Sequence, residues 1–423
     1  MSALLLLFLA ACGEPTPPPP PAPTATTPAP APTAAAPAQG PWNLASVAQL
    51  EPVLPTREGR TPKPIPPDPA YAAADALLAE IVNRYGGDPE NPWAVAHGLL
   101  AQGPDFKLTN GEPGVEYLFA TYAEELPAGG GAFVRFPTQK GKKRIEPHSA
   151  LMLKNFAEIG VRPDRKVTVN GRPHTVADLY RGVLLSSWLD PARNHASFDS
   201  PNDVPWALQA LATWAPEGPL RWTSTDGTEM DLDNLATFTV TVLVQETAFL
   251  QQAAAAGADF EKKGQGIFSY TCGGAHILQG ASYAVARGRS TAKAKEAVLA
   301  QIPLWFYRLP KELTLYDQAM KQAPEHEVRL LVQRLKFAGH FLESMEKMAA
   351  LGLFTPTDEQ QKMLIGAAQQ IALTTQALQA AGVFQNMETL RTQDEQLYLD
   401  VVGDAAHALR GLRLATGAGT LAW

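Results

Sequence analysis

Cysteine is almost missing from this chain: Cys12 and Cys272 are the only two in 423 residues, too few and too far apart for a disulfide framework. Long apolar runs are missing as well. None approaches the roughly 18 to 20 residues that a bilayer-spanning helix requires. Positive charge is not in excess either, since 35 Lys and Arg stand against 42 Asp and Glu. The mild acidity leaves no electrostatic footprint for nucleic acid, whose binders show a clustered basic face. No phosphate loop, dinucleotide fingerprint, paired-His zinc motif or Gly-x-Ser-x-Gly elbow is present, so no cofactor is expected. What the chain does have is apolar content sufficient for one or two cores, and 37 prolines crowded toward its start.

Leu4 to Ala11 form a short apolar run that leads into Leu9-Ala10-Ala11-Cys12. A run of this length reads as the core of an export signal. The tetrapeptide resembles the cleavage box of bacterial lipoproteins, although no Lys or Arg precedes the run. An additional start upstream of Met1 would supply the missing charge. The resemblance implies that residues 1–11 are removed and that Cys12 carries the lipid. Glu14 to Pro41 follow, almost wholly Pro, Ala and Thr. Such a segment cannot bury enough apolar surface to offset its ordering entropy. Extended at about 3.1 Å per residue, it would span roughly 85 Å. Residues 12–66 are thus expected to be a disordered tether, with residues 67–423 as the folded domain. Cys272 is then expected as a thiol.

From Asp68 onward the pattern is helical. Asp68-Pro69 and Asn91-Pro92 each supply a cap followed by a first-turn proline. Stripes and stops predict helices from 68 to about 86, from 91 to 103, and near 114–126, 148–159, 176–188, 204–214, 232–256, 273–287, 291–308, 325–350, 358–380 and 397–415. A short extra helix is expected near 311–321. Five of these helices repeat one signature: His or Trp, then Leu two places on, then a small residue at four. The copies begin at His97, Trp206, His276, His340 and His407, with a weaker one at His148. Their starts are 51, 58, 70, 64 and 67 residues apart. The small residue shares a face with the His or Trp, while the Leu points nearly opposite. A helix constrained on both faces suits an inner layer.

A second repeat has the same period. Asn110-Gly111, Asn170-Gly171 and Asp226-Gly227 are each followed by a new helix start. These dipeptides favour the two-residue turn whose twist matches a β-hairpin, and Thr175 and Asp231 are placed to cap the next helices. Together the patterns predict an all-α fold of six helix pairs, decorated by small hairpins. This alternation is similar to an α/α toroid, the layout of protein prenyltransferases, terpene cyclases and several polysaccharide lyases and glycosidases. None of their active-site motifs is intact here, so the resemblance carries the layout alone. An open α-solenoid buries its faces in the same way and is the alternative.

If the repeats close, His97, His148, Trp206, His276, His340 and His407 lie at one end of the inner helices and are cavity candidates. The polar loops 127–147, 189–203 and 257–272 enter that end, and helix N-termini there favour anionic ligands. Tyr270-Thr-Cys272-Gly273-Gly274-Ala-His276 is the most suggestive stretch. A cysteine at a helix start with a histidine four residues on outlines a thiol nucleophile with a base, or half of a zinc site needing a carboxylate. The same residues also read as packing, with Cys272 a small buried group. His195 with Asp199 offers acid–base chemistry, while Asp203 reads as a helix cap. Lys140 to Arg144 reads as a solvated loop.

The leading expectation is therefore an envelope lipoprotein that displays the helical domain as a binding or scaffolding module for a glycan or another envelope protein. Gly13 after the lipidated cysteine points to the outer membrane, with the domain in the periplasm or at the surface. The alternative is an enzyme, a hydrolase or lyase, acting on a glycan or peptide at the histidine end.

Overall fold

A computed structural model describes residues 47–54, 61–126, 133–187, 189–190, 195–196, 202–225, 227–419 and 421–422. The lipid-attachment candidate Cys12 and the catalytic candidate Asp199 lie outside the described residues. The chain is mostly helical. In order come α1 (Pro69–Ile81, continued by a π-helical turn to Gly86), α2 (Pro92–Gln102), α3 (Gly114–Tyr122), α4 (Leu151–Glu158), α5 (Val176–Ser186), α6 (Val204–Trp214) and α7 (Leu232–Ala255). Then follow α8 (Ala275–Ala286), α9 (Ala292–Leu299), α10 (Gln301–Gln322), α11 (Glu327–Ala350), α12 (Asp358–Ala380), α13 (Met387–Gln393) and α14 (Glu395–Thr416).

The predicted caps are in place. Asp68 accepts from Ala70 N–H, Asn91 from Ala94 N–H, and Asp231 from the N–H groups of Asp233 and Asn234. Thr175 and Asp178 form a capping box, satisfying donors that a helix start leaves orphaned. Some elements differ from expectation, and α13 had no expected counterpart. The expected helix 291–308 breaks at Ala300 instead, and Pro310 sits inside α10. Proline removes one helical hydrogen bond, but Phe306, Leu309, Glu312 and Tyr316 are buried on either side of it, and that packing carries the helix through. The helix expected over 114–126 stops at Tyr122, because Glu124–Glu125 (β1) pairs with Val134–Arg135 (β2).

Strands occur only as two-stranded antiparallel ladders among the described residues. Besides β1–β2 these are β3 (Gln139–Lys140) with β4 (Lys143–Arg144), β5 (Lys166–Val169) with β6 (Arg172–Thr175), β7 (Leu189–Asp190) with β8 (His195–Ala196), and β9 (Arg221–Thr223) with β10 (Glu229–Asp231). The predicted turn at Asn170-Gly171 has φ of +50° and +76°, the pair of positive values that a type I′ hairpin demands. At Asn110-Gly111 only a single bridge forms, between Lys107 and Pro113.

The six helices that carry the signature follow one another in space. Helix α2 packs on α4, α4 on α6, α6 on α8, α8 on α11, α11 on α14, and α14 returns to α2. The alternate helices flank them: α1 on α14, α3 on α2, α5 on α4 and α6, α7 on α6 and α8, α10 on α11, and α12 on α11 and α14. The signature explains the packing. Leu99, Leu208, Leu278, Leu342 and Leu409 are all fully buried. The small residues sit where helices cross: a Cβ on Gly280 would lie 2.6 Å from the Pro205 carbonyl oxygen, and one on Gly411 2.9 Å from the Glu343 nitrogen.

Residues 47–54 and 61–65 run over the C-terminal ends of α6 and α14. Val47 is buried, Val53 N–H donates to Trp214 O, and Ile65 N–H donates to Ala415 O. Within the span 12–66 expected as a spacer, Val47 and Ile65 bury apolar side chains against the body, which offsets their ordering entropy. Among the described residues no helix is long and apolar enough to cross a membrane.

Candidate functional site

Residues of the six signature helices, together with the loops that precede them, line a cavity of about 780 Å³. All six repeat positions line it: His97, His148, Trp206, His276, His340 and His407. Their rings touch in sequence. His148 stacks on Trp206 at a centroid distance of 4.6 Å, Trp206 on His276 at 4.4 Å, and His340 lies 3.9 Å from His407. His97 then meets His407 at 5.4 Å, and Trp93 packs on His97 at 4.1 Å. Trp206, Trp214 and Trp222 are buried, and both faces of Trp206 are covered by histidines. Trp93 alone of the four is half-buried with its ring on the cavity wall.

Hydrogen bonding sorts the histidines into two kinds. Some rings are anchored. His97 Nδ1 donates to Trp93 O over 2.8 Å, His407 Nδ1 to Glu343 over 2.7 Å, and His148 Nδ1 to Asp203 over 3.2 Å. Others are not: Nδ1 of His276 and both ring nitrogens of His340 are buried without a partner. Burial, and then repulsion from His407, pushes His97 down to about 3. Burial and the neighbouring imidazoles likewise hold His276 and His340 well below the usual histidine value. These rings are neutral at pH 7, because a buried charge without a partner is costly.

Directly below the rings the centre is filled by a buried ionic network. Glu158 of α4 meets Lys154 (2.9 Å), Lys347 (2.6 Å) and Arg410 (2.7 Å), and Gln209 donates to it over 2.7 Å. Lys347 also reaches Glu343 over 2.6 Å and Gln279 over 3.1 Å. Burial alone would raise the carboxyl of Glu158, but Lys154, Lys347 and Arg410 overcome it and hold the group well below its usual range. Burial lowers Lys347 to about 8. The hollow is therefore confined to one end, with a charged floor.

Cys272 reaches this hollow through an unusual backbone. Cys272, Gly273 and Gly274 have φ of +53°, +60° and +84°, three left-handed residues in a row. A cysteine there is strained by roughly 1 kcal/mol or more, and such strain persists only where its surroundings enforce it. They do so here. Arg308 donates to Gly273 O over 3.1 Å, Gly273 N–H to Tyr270 O over 2.9 Å, and Thr271 N–H to Asn202 over 2.9 Å. Arg308 is itself fixed by Glu312, which also binds Lys262. Gly274 is obligatory, since a Cβ would meet Ile267 at 2.3 Å. The result places Cys272 Sγ and a ring nitrogen from each of His276 and His340 within 4.8 Å of one another. Cys272 is a half-buried thiol on the cavity wall.

The candidates divide accordingly. Cys272 and His276 come together with the five binding candidates. Tyr270 does not line the cavity, and burial and Glu246 raise its phenol. His195 is placed by its backbone in β8, and Asp199 is not described. Asp203, expected as a cap, makes no side-chain cap bond and faces His148 instead. Lys142, Lys143 and Arg144, expected in a solvated loop, stand in and beside the β3–β4 hairpin at the cavity mouth, where Lys143 pairs with Glu90. Comparison of the chain with protein-family models, with characterised proteins and with solved structures finds no match.

Proposed function

We propose that this protein is a lipid-anchored envelope protein whose helical body is an α/α toroid that binds a small polar ligand, a short glycan, in its histidine-lined cavity. One observation carries the reading: six positions spaced over more than three hundred residues converge on a single hollow. The cyclic order of helix contacts supports the toroid. The cavity is of the size that encloses small molecules. A half-buried Trp93 offers an apolar face for a sugar ring. Asp203, Asp400, Asp404 and Lys336 supply polar groups around it. The sequence before Cys12 supports the anchor, and the outer membrane is the proposed residence.

Titration with soluble fragments of the bacterial cell-wall glycan, followed by tryptophan fluorescence and ligand-observed NMR, tests the binding. Saturable binding that Trp93→Ala weakens by about tenfold or more is expected. Absence of binding by the folded protein would overturn it. Cys12→Ala is expected to move the protein from the membrane to the soluble fraction, and unchanged fractionation would refute the anchor. The Cys272–His276–His340 grouping favours a second reading, an enzyme acting on the same glycan. New reducing ends or unsaturated products appearing in that titration would identify it.

A further inference from the structure

We propose that Cys272, His276 and His340 form a zinc site whose fourth coordination position opens into the cavity. Three features of the structure argue for it. The donor atoms gather from two different helices and a strained turn, within 4.8 Å of one another. Tetrahedral zinc with one sulfur and two imidazole ligands needs them roughly 3.3 to 3.6 Å apart, a closure that side-chain rotation supplies. Second, His276 and His340 are 7% and 1% exposed, yet three of their four ring nitrogens lack a hydrogen-bond partner. Buried polar atoms are almost always satisfied, so orphans gathered at one point mark a missing ligand. Third, the left-handed Cys272–Gly274 turn is held in place by Arg308 and Asn202, which is how a ligand loop is pre-formed.

The ligand set also fits zinc chemically. One thiolate with two imidazoles is a borderline-soft donor set. Three protein ligands with an open position are the pattern of zinc sites that engage a substrate. Burial keeps both rings neutral, as ligands must be. His340 Nδ1 lies 3.7 Å from the Glu343 carboxylate, so the ring has a carboxylate behind it, the arrangement that orients a metal-bound histidine. A second trio, His340, Glu343 and His407, is equally close. It is the weaker site, because Glu343 already balances Lys347 and accepts from His407. The carboxylate expected beside Cys272 and His276 is thus replaced by a histidine from α11. Binding exchanges the thiol proton of Cys272 for the metal and releases that proton to solvent.

This inference rests on the cavity being the functional site, but its test needs no glycan. Full-length protein is stripped with a chelator, reloaded with Zn²⁺ or Co²⁺ alone, and analysed for metal and absorption. About one equivalent per chain is expected, and the Co²⁺ form should show a thiolate-to-cobalt charge-transfer band with tetrahedral visible bands. Cys272→Ser, with circular dichroism unchanged, should abolish that band. In wild-type protein Zn²⁺ should suppress alkylation of Cys272, located by peptide mass mapping, and a chelator should restore it. A folded chain that binds no metal overturns the site, as does a charge-transfer band that survives Cys272→Ser or alkylation indifferent to zinc. Glycan binding by the metal-free protein would still stand in that event, and metal binding without glycan binding would overturn only the ligand reading.

Discussion

Glu346 lies on the buried side of α11, 1% exposed, with neither carboxylate oxygen hydrogen-bonded. Burial pushes it up to about 7. The unfolded chain holds such a group near 4.5, so between these values the folded state binds more protons and stability falls as pH rises. Glu346→Gln removes the penalty. Its unfolding free energy from denaturant melts should exceed that of wild type at pH 8, by up to about 3 kcal/mol, and match it near pH 4.5. A difference that does not vary with pH would contradict the assignment. Cys272 is the opposite kind of residue. Its left-handed backbone could not be read from sequence, because cysteine carries no signal for positive φ. Only the two glycines after it hinted that the chain turns there.

At the scale of the helix, the repeat signature was legible because it has two mechanical functions. Its leucine fills the space behind each inner helix, and its small residue lets neighbours cross. Gly280→Ala should therefore destabilise the protein by about 2 kcal/mol, since the added methyl meets the Pro205 backbone. Gly366→Ala, on α12 with nothing within 4 Å, should stabilise by about 0.5 to 1 kcal/mol. Thermal or denaturant melts of the two variants distinguish the roles. The ionic floor was not read. Lys154–Glu158 and Glu343–Lys347 are spaced four apart, which on a helix usually means a solvated pair. The missed signal is the position three after four of the six rings: Gln209, Gln279, Glu343 and Arg410 share the inward face with their ring. Polar residues recurring on a face already assigned to the axis are buried polar residues. The end expected at 308 failed in the other direction, because tertiary packing carries the helix through Pro310.

For the molecule as a whole, the closing contact joins α14 to α2 and α4. Arg410 donates to Glu158 over 2.7 Å and to Leu100 O over 2.9 Å, bridging residues more than two hundred and fifty positions apart. Arg410→Met should cost about 3 kcal/mol, because it strips buried partners from Glu158 and from a carbonyl. Glu158→Gln should cost less in the Arg410→Met background than in wild type, a coupling that a double-mutant cycle in urea would measure. A single-variant cost below about 1 kcal/mol would mean that the closure does not depend on this bridge. The order of helices could be read from periodicity, whereas the return of the last helix to the first could not, since no local pattern encodes a long-range meeting. The course of residues 47–54 and 61–65 adds a directional consequence. They leave the body across the C-terminal ends of α6 and α14, on the side remote from the hollow. A surface that held the protein by these residues would leave the cavity mouth clear, like a cup standing on its base.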